Sequence, residues 1–366
     1  MLGKMFKVTF YGESHGRGIG TLIYGCPPGI KIMDVDIRRE LEKRRIRDPK
    51  ISTQRIEEDT FDVLSGIFNG YTTGAPINIF IYNKDVDSRH YEEIRFRPRP
   101  SHADYTAYMK YHGYNDYRGG GIFSGRLTAG MVAAGAIAKK VIEGFGIKVL
   151  AHTYSVGKLV VGEDVEIEDI ERNVYRNPVR CARMDMAEEI YRYIENVRRD
   201  GDSIGGVVEG IILNVPIGLG EPPIDTLDGD LAKAIFLIPG VKGIEFGLGF
   251  KLGRLRGSEA NDEFRVSNGR IITRTNNSGG INGGISNGMP IKFRVVFKPT
   301  PSIYKRQRTV DLREFREVDI RLKGRFDPCI AIRAVPIIES VSAIVIADHL
   351  LRWLAYEKYM GDIGNG

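Results

Sequence analysis

The sequence predicts an α+β fold in which helices are layered against antiparallel sheets. Two observations point there: two-residue strand alternation and helical periodicity are both present, and they do not follow one another in a regular strand-helix-strand rhythm. A third is that no GxGxxG follows the first strand, which argues against a doubly wound nucleotide domain. The 366 residues, 42% hydrophobic and 27% charged, suffice for a substantial core. No low-complexity linker, composition break or fixed-period repeat divides them, so a single domain over residues 1–366 is expected.

Taken in order, Phe6, Val8 and Phe10 alternate with Lys7, Thr9 and Tyr11, the mark of a half-buried strand. The longest uncharged run, 63–83, is broken by Gly66, Gly70, Gly74 and Pro76 and reads as strand, turn, strand. It lacks the roughly 20 apolar residues that a spanning helix needs. Residues 127–143 are alanine-rich and apolar on most sides, and 184–199 are amphipathic and stop at Asp200-Gly201; both read as helices. Ile291, Phe293, Val295 and Phe297 alternate around Lys292 and Arg294 as a second clear strand, and a helix over 337–359 closes the pattern.

Composition narrows the function classes. The opening MLGKMFKVTFYG has neither the apolar core nor the cleavage site of a secretory signal, so the expectation is a cytoplasmic protein with no membrane partner. Cys26, Cys181 and Cys329 are far apart and in no CxxC pair, which argues against a disulfide framework or a metal site and leaves buried free thiols. The net charge of +6 suits an anionic ligand, but the basic residues form no single tail or stripe, so charge alone does not separate nucleic acid from a phosphorylated metabolite. Glycine is abundant, 44 residues in 366, and its clusters suggest tight turns or backbone lying close to a ligand.

Five stretches carry candidate chemistry. Gly12-Glu13-Ser14-His15-Gly16 ends the first strand with a hydroxyl and an imidazole on a loop; His15 reads either as a catalytic group or as a polar surface residue. Adjacent Ser and His rarely make a protease pair. Arg95 to Tyr105 sets Arg99 and His102 between prolines, suited to holding an anion and moving a proton, or else to a solvated basic loop. Ser124-Gly125-Arg126 runs into the alanine-rich helix, where free N–H groups attract phosphate, though Ser124 also serves as an ordinary cap. Thr275 to Gly284 and Lys298-Pro299-Thr300-Pro301-Ser302 offer glycine backbone and short polar groups without a Walker motif. Last, Arg325 and Asp327 lie two residues apart, a spacing most often used for a structural salt bridge.

Together GESHGRGIGTLIYGCPPG, RPRPSHADYTAYMKYHGYNDYRGGG, SGRLTAGMVAAGAIAKK, GDSIGG, TNNSGGINGGISNG, KPTPSI and GRFDPCIAIRAVPIIES occur in an order that resembles the chorismate synthase family over essentially the whole chain. That resemblance implies a β-α-β sandwich, with helices layered between antiparallel sheets, usually assembled as a homotetramer. It implies an anti-1,4-elimination of phosphate from 5-enolpyruvylshikimate 3-phosphate, dependent on reduced FMN with no net redox change. NADPH enters only as a source of electrons for the flavin. His15 is implied to protonate the departing phosphate, His102 to adjust flavin protonation, and Asp327 to help flavin N5 accept the C6 proton. Substrate-binding roles fall on Ser14, Arg44, Lys50, Arg99 and Arg126. Flavin contacts fall on Arg44, Lys50, Ile122, Phe123, Ser124, Gly240, Gly283, Lys298, Pro299, Thr300, Pro301, Ser302 and Arg325. Departures occur where many bacterial members have Arg-Ser-Ser and this chain has Ile122-Phe123-Ser124, and where Pro239-Gly240 replaces Asn-Ala. Lys50 stands where arginine is common, which weakens bidentate anion binding. A phosphate- or RNA-binding module is the rival class, disfavoured because the aromatics show no RNP-type pattern. A flavin oxidoreductase with net NADPH turnover is the other; no dinucleotide motif is evident, and motifs do not separate members that reduce their own flavin from those that do not.

Overall fold

In the computed structural model, which describes residues 1–53, 58–84, 88, 91–162 and 164–364, two antiparallel sheets enclose a layer of helices. One sheet has the order Lys7–Gly12, Gly18–Tyr24, Ile77–Tyr82, Phe61–Ser65; the other runs Val241–Phe246, Ile291–Phe297, Gly206–Leu213, Lys148–Val156, Leu159–Val160. The helix Thr128–Glu143 packs on the first sheet and the helix Ala331–Gly364 on the second, and the two helices pack on each other. The expected sandwich of sheet, helices and sheet is therefore the observed architecture.

The sequence patterns explain the layers. Along Ile291–Phe297, Ile291, Phe293, Val295 and Phe297 are buried while the intervening residues are not, because successive strand side chains take opposite faces. Thr128–Glu143 is covered on almost every side, which is why its residues are apolar all round rather than striped. Met184–Arg199 instead buries only Ala187, Ile190 and Ile194 and leaves its charged face in water. Where the two central helices cross, a methyl group on Gly135 would lie 2.2 Å from Ser340 Cβ, so only glycine admits that approach. Buried apolar side chains from Leu2 to Leu350 form one connected cluster. The three cysteines are free and buried, and burial pushes the Cys26 thiol up to about 12 and the Cys181 and Cys329 thiols up to about 11, far from reactive.

The closing helix differs from its sequence-based bounds. It begins at Ala331 and passes through Pro336, where the sequence reading starts only at Ile337. Pro336 forfeits one intrahelical N–H bond. It is tolerated because the surrounding turns, from Ala331 to Val335 and Ile337 to Leu350, are almost wholly buried between the layers. By length and composition this helix also passes for a membrane span, yet 94% of its apolar window is covered by the rest of the protein.

Candidate active site

A cleft of ≈ 1280 Å³ is bounded by the residues that follow the Asp34–Lys43 helix, the 119–128 turn, and the 236–242, 298–302 and 325–337 segments. Single-ligand pockets span roughly 300–1,000 Å³, so this one has room for two small molecules together. Eight arginines and lysines line it against three carboxylates, which makes it a receptor for anions.

Its floor is built on Asp59, which is 4% exposed. Arg44 Nη1 donates to Asp59 Oδ2 at 2.9 Å, and Arg126 Nη1 donates to Asp59 Oδ1. Arg126 is fixed further by Nε to Asn83 Oδ1 and Nη2 to the Tyr82 carbonyl, both 2.9 Å, and Arg44 by Nη2 to Thr128 Oγ1 at 3.2 Å. Burial alone would raise the Asp59 pKa; Arg44 and Arg126 overcome it and hold the carboxyl below its ordinary value. Arg44 and Arg126 thus share one buried carboxylate, in a place where water screens their charges little.

One wall is the turn Gly119-Gly120-Gly121, with φ of 60°, 85° and 53°. A methyl group on Gly119 would stand 2.4 Å from His15 Cδ2 and 2.7 Å from Ser14 Oγ, and one on Gly120 would stand 3.3 Å from His102 Cε1. His15 therefore lies directly behind the wall. Its Nδ1 meets Ser88 Oγ at 2.8 Å and its ring meets the edge of Tyr91. Ser14 Oγ is buried with no hydrogen-bond partner among the described residues. His102 lines the cleft itself, with Nδ1 2.6 Å from Asp104 Oδ1. The same Nδ1 lies 3.1 Å from Arg99 Nη2; the nearer carboxylate oxygen can only accept, which favours the tautomer with the proton on Nδ1 and Nε2 as an acceptor. Burial lowers the His102 pKa; Asp104 pulls it up, Arg99 pushes it down, and the net direction is down. Arg99 is held by Asp104 through Nε at 2.7 Å and Nη2 at 2.8 Å, with Nη1 3.3 Å from Ser302 Oγ.

Across the cleft, Asp327 Oδ1 accepts from the Thr53 N–H at 2.9 Å and from Ser52 Oγ at 3.2 Å, while Oδ2 accepts from Arg333 Nη1 at 2.7 Å. The ion pair of Asp327 is thus with Arg333 and not with Arg325, because the following turn and helix start carry Arg333 back over the carboxylate. Lys298 Nζ donates to the Ser101 carbonyl, and burial together with Lys242 lowers its pKa. Thr300 Oγ1 is buried without a partner. The mouth carries exposed Ile122, Phe123, Phe236 and Leu237, an apolar lip beside the cationic floor.

A family model described as chorismate synthase matches residues 6–351. Chorismate synthases of Pyrococcus abyssi and Thermococcus gammatolerans are 53% and 52% identical, over 96% and 98% of this chain and 97% and 99% of theirs. The chain belongs to the chorismate synthase family. It is accordingly a lyase with the chorismate-forming role in the shikimate pathway. A crystal structure of a chorismate synthase covers the whole of both chains with TM-score 0.77 at 30% identity.

Of the residues that chorismate synthase resemblance singles out, Arg44, His102, Ile122, Phe123, Ser124, Arg126, Gly240, Lys298, Thr300, Pro301, Ser302, Arg325 and Asp327 line the cleft. Ser14, His15 and Arg99 stand immediately behind its wall. Three lie elsewhere. Lys50 extends into solvent, 65% exposed, with Nζ 3.8 Å from Glu195. Gly283 sits in the turn between Ile281–Asn282 and Ile285–Ser286, where the adjacent Gly284 packs on Thr226. Thr226 caps the far end of the Leu227–Ile235 helix, roughly 13 Å from the end that reaches the cleft. Pro299 turns away to pack on Gly205. Ser124 caps a short turn, Gly125–Leu127, by accepting from Arg126 N, and does not cap the long helix itself. Asp59, Asn83, Asp104 and Arg333 were not read as site residues from sequence; only Asp104, inside the HADYT segment, had a signal.

Proposed function

We propose that this chain eliminates phosphate from 5-enolpyruvylshikimate 3-phosphate in an anti-1,4 sense, with reduced FMN as a cofactor that is not consumed. The observation that carries the reading is the pairing of a lining rich in arginine and lysine, where Arg44 and Arg126 are fixed on one buried carboxylate, with an apolar lip in a cleft large enough for two ligands. The substrate brings a phosphate and two carboxylates, and fixed guanidinium groups offset the cost of removing them from water.

The residues also fit the flavin. Ile122, Phe123, Phe236 and Leu237 offer apolar contact to a flat ring, and the unpartnered Thr300 hydroxyl, with Lys298, Ser302 and Arg325, offers polar contacts for its side chain and phosphate. At Ile122 and Phe123 polar contacts fall to the backbone, and Gly240 contributes backbone alone. When bound, reduced FMN supplies electron density to the substrate as the phosphate departs. Protonated His15 donates to the leaving phosphate, with Ser88 holding its Nδ1 and Ser14 offering a neutral hydroxyl beside it. His102 keeps Nε2 free to accept a proton at the flavin-side wall. Asp327, paired with Arg333 and accepting from Ser52 and Thr53, stands on the opposite side, where it would help flavin N5 accept the C6 proton. Arg99 keeps Asp104 and His102 in register. Lys50, Gly283 and Pro299 are given no role in this cleft. The assembly proposed is a homotetramer acting in the cytoplasm, with NADPH only an indirect electron source.

The test is anaerobic phosphate release from 5-enolpyruvylshikimate 3-phosphate with chemically reduced FMN, with and without NADPH. Release that needs reduced FMN and is indifferent to NADPH supports the reading; stoichiometric NADPH consumption, or release without flavin, overturns it.

A further inference from the structure

Arg180 is a buried cation, 8% exposed, and among the described residues no carboxylate lies within ion-pair distance of it. Burial lowers its pKa, so the site costs stability that something must justify. It also holds a left-handed backbone, φ 57°, which a residue other than glycine adopts under strain. The turn around it enforces that conformation. Asn177 Nδ2 donates to the Cys181 carbonyl at 2.7 Å, Cys181 N donates back to Asn177 Oδ1 at 3.1 Å, and the Arg180 carbonyl accepts from Thr153 N at 2.9 Å. The result aims the guanidinium across the Tyr175 ring, 4.9 Å from its centroid, at the end of the Asp34–Lys43 helix. There Arg180 Nη2 donates to the Lys43 carbonyl at 2.9 Å and the Arg45 carbonyl at 3.1 Å. Helix C-termini leave carbonyls unpaired, and these two bracket Arg44, whose side chain forms the cleft floor; Arg45 and Arg47 enter the cleft from the same stretch.

We propose that Arg180 is a positioning residue that clamps the backbone on both sides of Arg44 and so sets the anion-binding arginines at the end of the first helix. The inference rests on the substrate reading above. Arg180→Met keeps the stem on Tyr175 and removes the donors; Arg180→Lys keeps one. Two readouts apply to the holoenzyme. Amide hydrogen exchange over residues 43–48 is expected to accelerate in Arg180→Met by about ten- to a hundred-fold, the range for losing hydrogen bonds to a charged donor, with the central helices unchanged. The KM for 5-enolpyruvylshikimate 3-phosphate is expected to rise over about the same range, with kcat changed less, and Arg180→Lys to recover part of it. Exchange at the parental rate in folded Arg180→Met, or a KM equal to the parent's in an active enzyme, overturns the proposal. A parent that releases no phosphate overturns the substrate reading instead, and the exchange measurement still decides the clamp. If Arg180→Met does not fold, Arg180→Leu, which also lacks the donors, carries both readouts, and parental values there overturn the clamp.

Discussion

His15 and His102 stand on opposite sides of one turn of three glycines, and their company differs. His102 touches a carboxylate, Asp104, but is buried beside Arg99 and close to Lys298, and its proton affinity falls. His15 touches a hydroxyl, Ser88, and an aromatic edge, Tyr91, and the carboxylate it interacts with, Asp116, is bound by Arg118. A contact with an acid is therefore a poor guide to which imidazole holds its proton; burial and the neighbouring cations outweigh it at His102. In the proposed reaction the two divide the labour, His15 giving a proton to phosphate and His102 starting without one.

The largest effect that separates them is on phosphate release. His15→Ala is expected to slow it by roughly 10²- to 10⁴-fold in a single turnover with reduced FMN, the range for a lost general acid, with FMN affinity little changed. Parental release from the folded variant removes His15 from the chemistry. Next in size is the floor of the cleft. Asp59→Asn removes the buried carboxylate that Arg44 and Arg126 share and is expected to cost about 3–5 kcal/mol in denaturant unfolding. A loss below about 1 kcal/mol means that water or another group already screens the two arginines.

The glycine turn gives a sharper contrast within the comparison. Gly119→Ala meets the His15 ring and Ser14 Oγ well inside contact distance, whereas Gly120→Ala meets His102 at 3.3 Å; both carry positive φ. Each is expected to cost about 1–3 kcal/mol from backbone strain, with Gly119→Ala the worse and the more damaging to turnover. Equal loss in the two variants shows that strain alone governs the turn.

The smallest expected effect is on pH dependence. Because the folded His102 pKa is depressed, its contribution to stability is present above the usual histidine value and lost as pH falls from that value through the lowered one. The parent is therefore expected to lose more Tm than His102→Gln between about pH 7.5 and about pH 5, where Asp104, held well below the usual carboxylate range, does not titrate. Identical losses reverse the assignment of a lowered pKa.

The layers and much of the cleft were legible in sequence, because alternation and helical repeat record burial directly. Residues on short glycine- and proline-set loops, such as His102 and Arg126, were legible as motifs. Pairings made only in three dimensions were not. Asp59 lies in a run of acids with nothing to mark which one meets two arginines, and Arg180 acts on carbonyls more than a hundred positions away. Lys50 shares the loop of the cleft arginines, yet the Asp48-Pro49 turn sends it toward Glu195, which no local pattern announces. Pro336 misled for the opposite reason: a local stop signal was overridden by packing on both sides.

The crossing of the two central helices at Gly135 and Ser340 leaves no slack between the layers. Each helix carries one sheet, so the sheets are coupled as a rigid frame and neither can rock against the other without driving backbone into backbone. Any closure of the cleft is then left to loops that rim it away from the Arg180 contacts, such as the 298–302 segment, and not to movement of one sheet against the other.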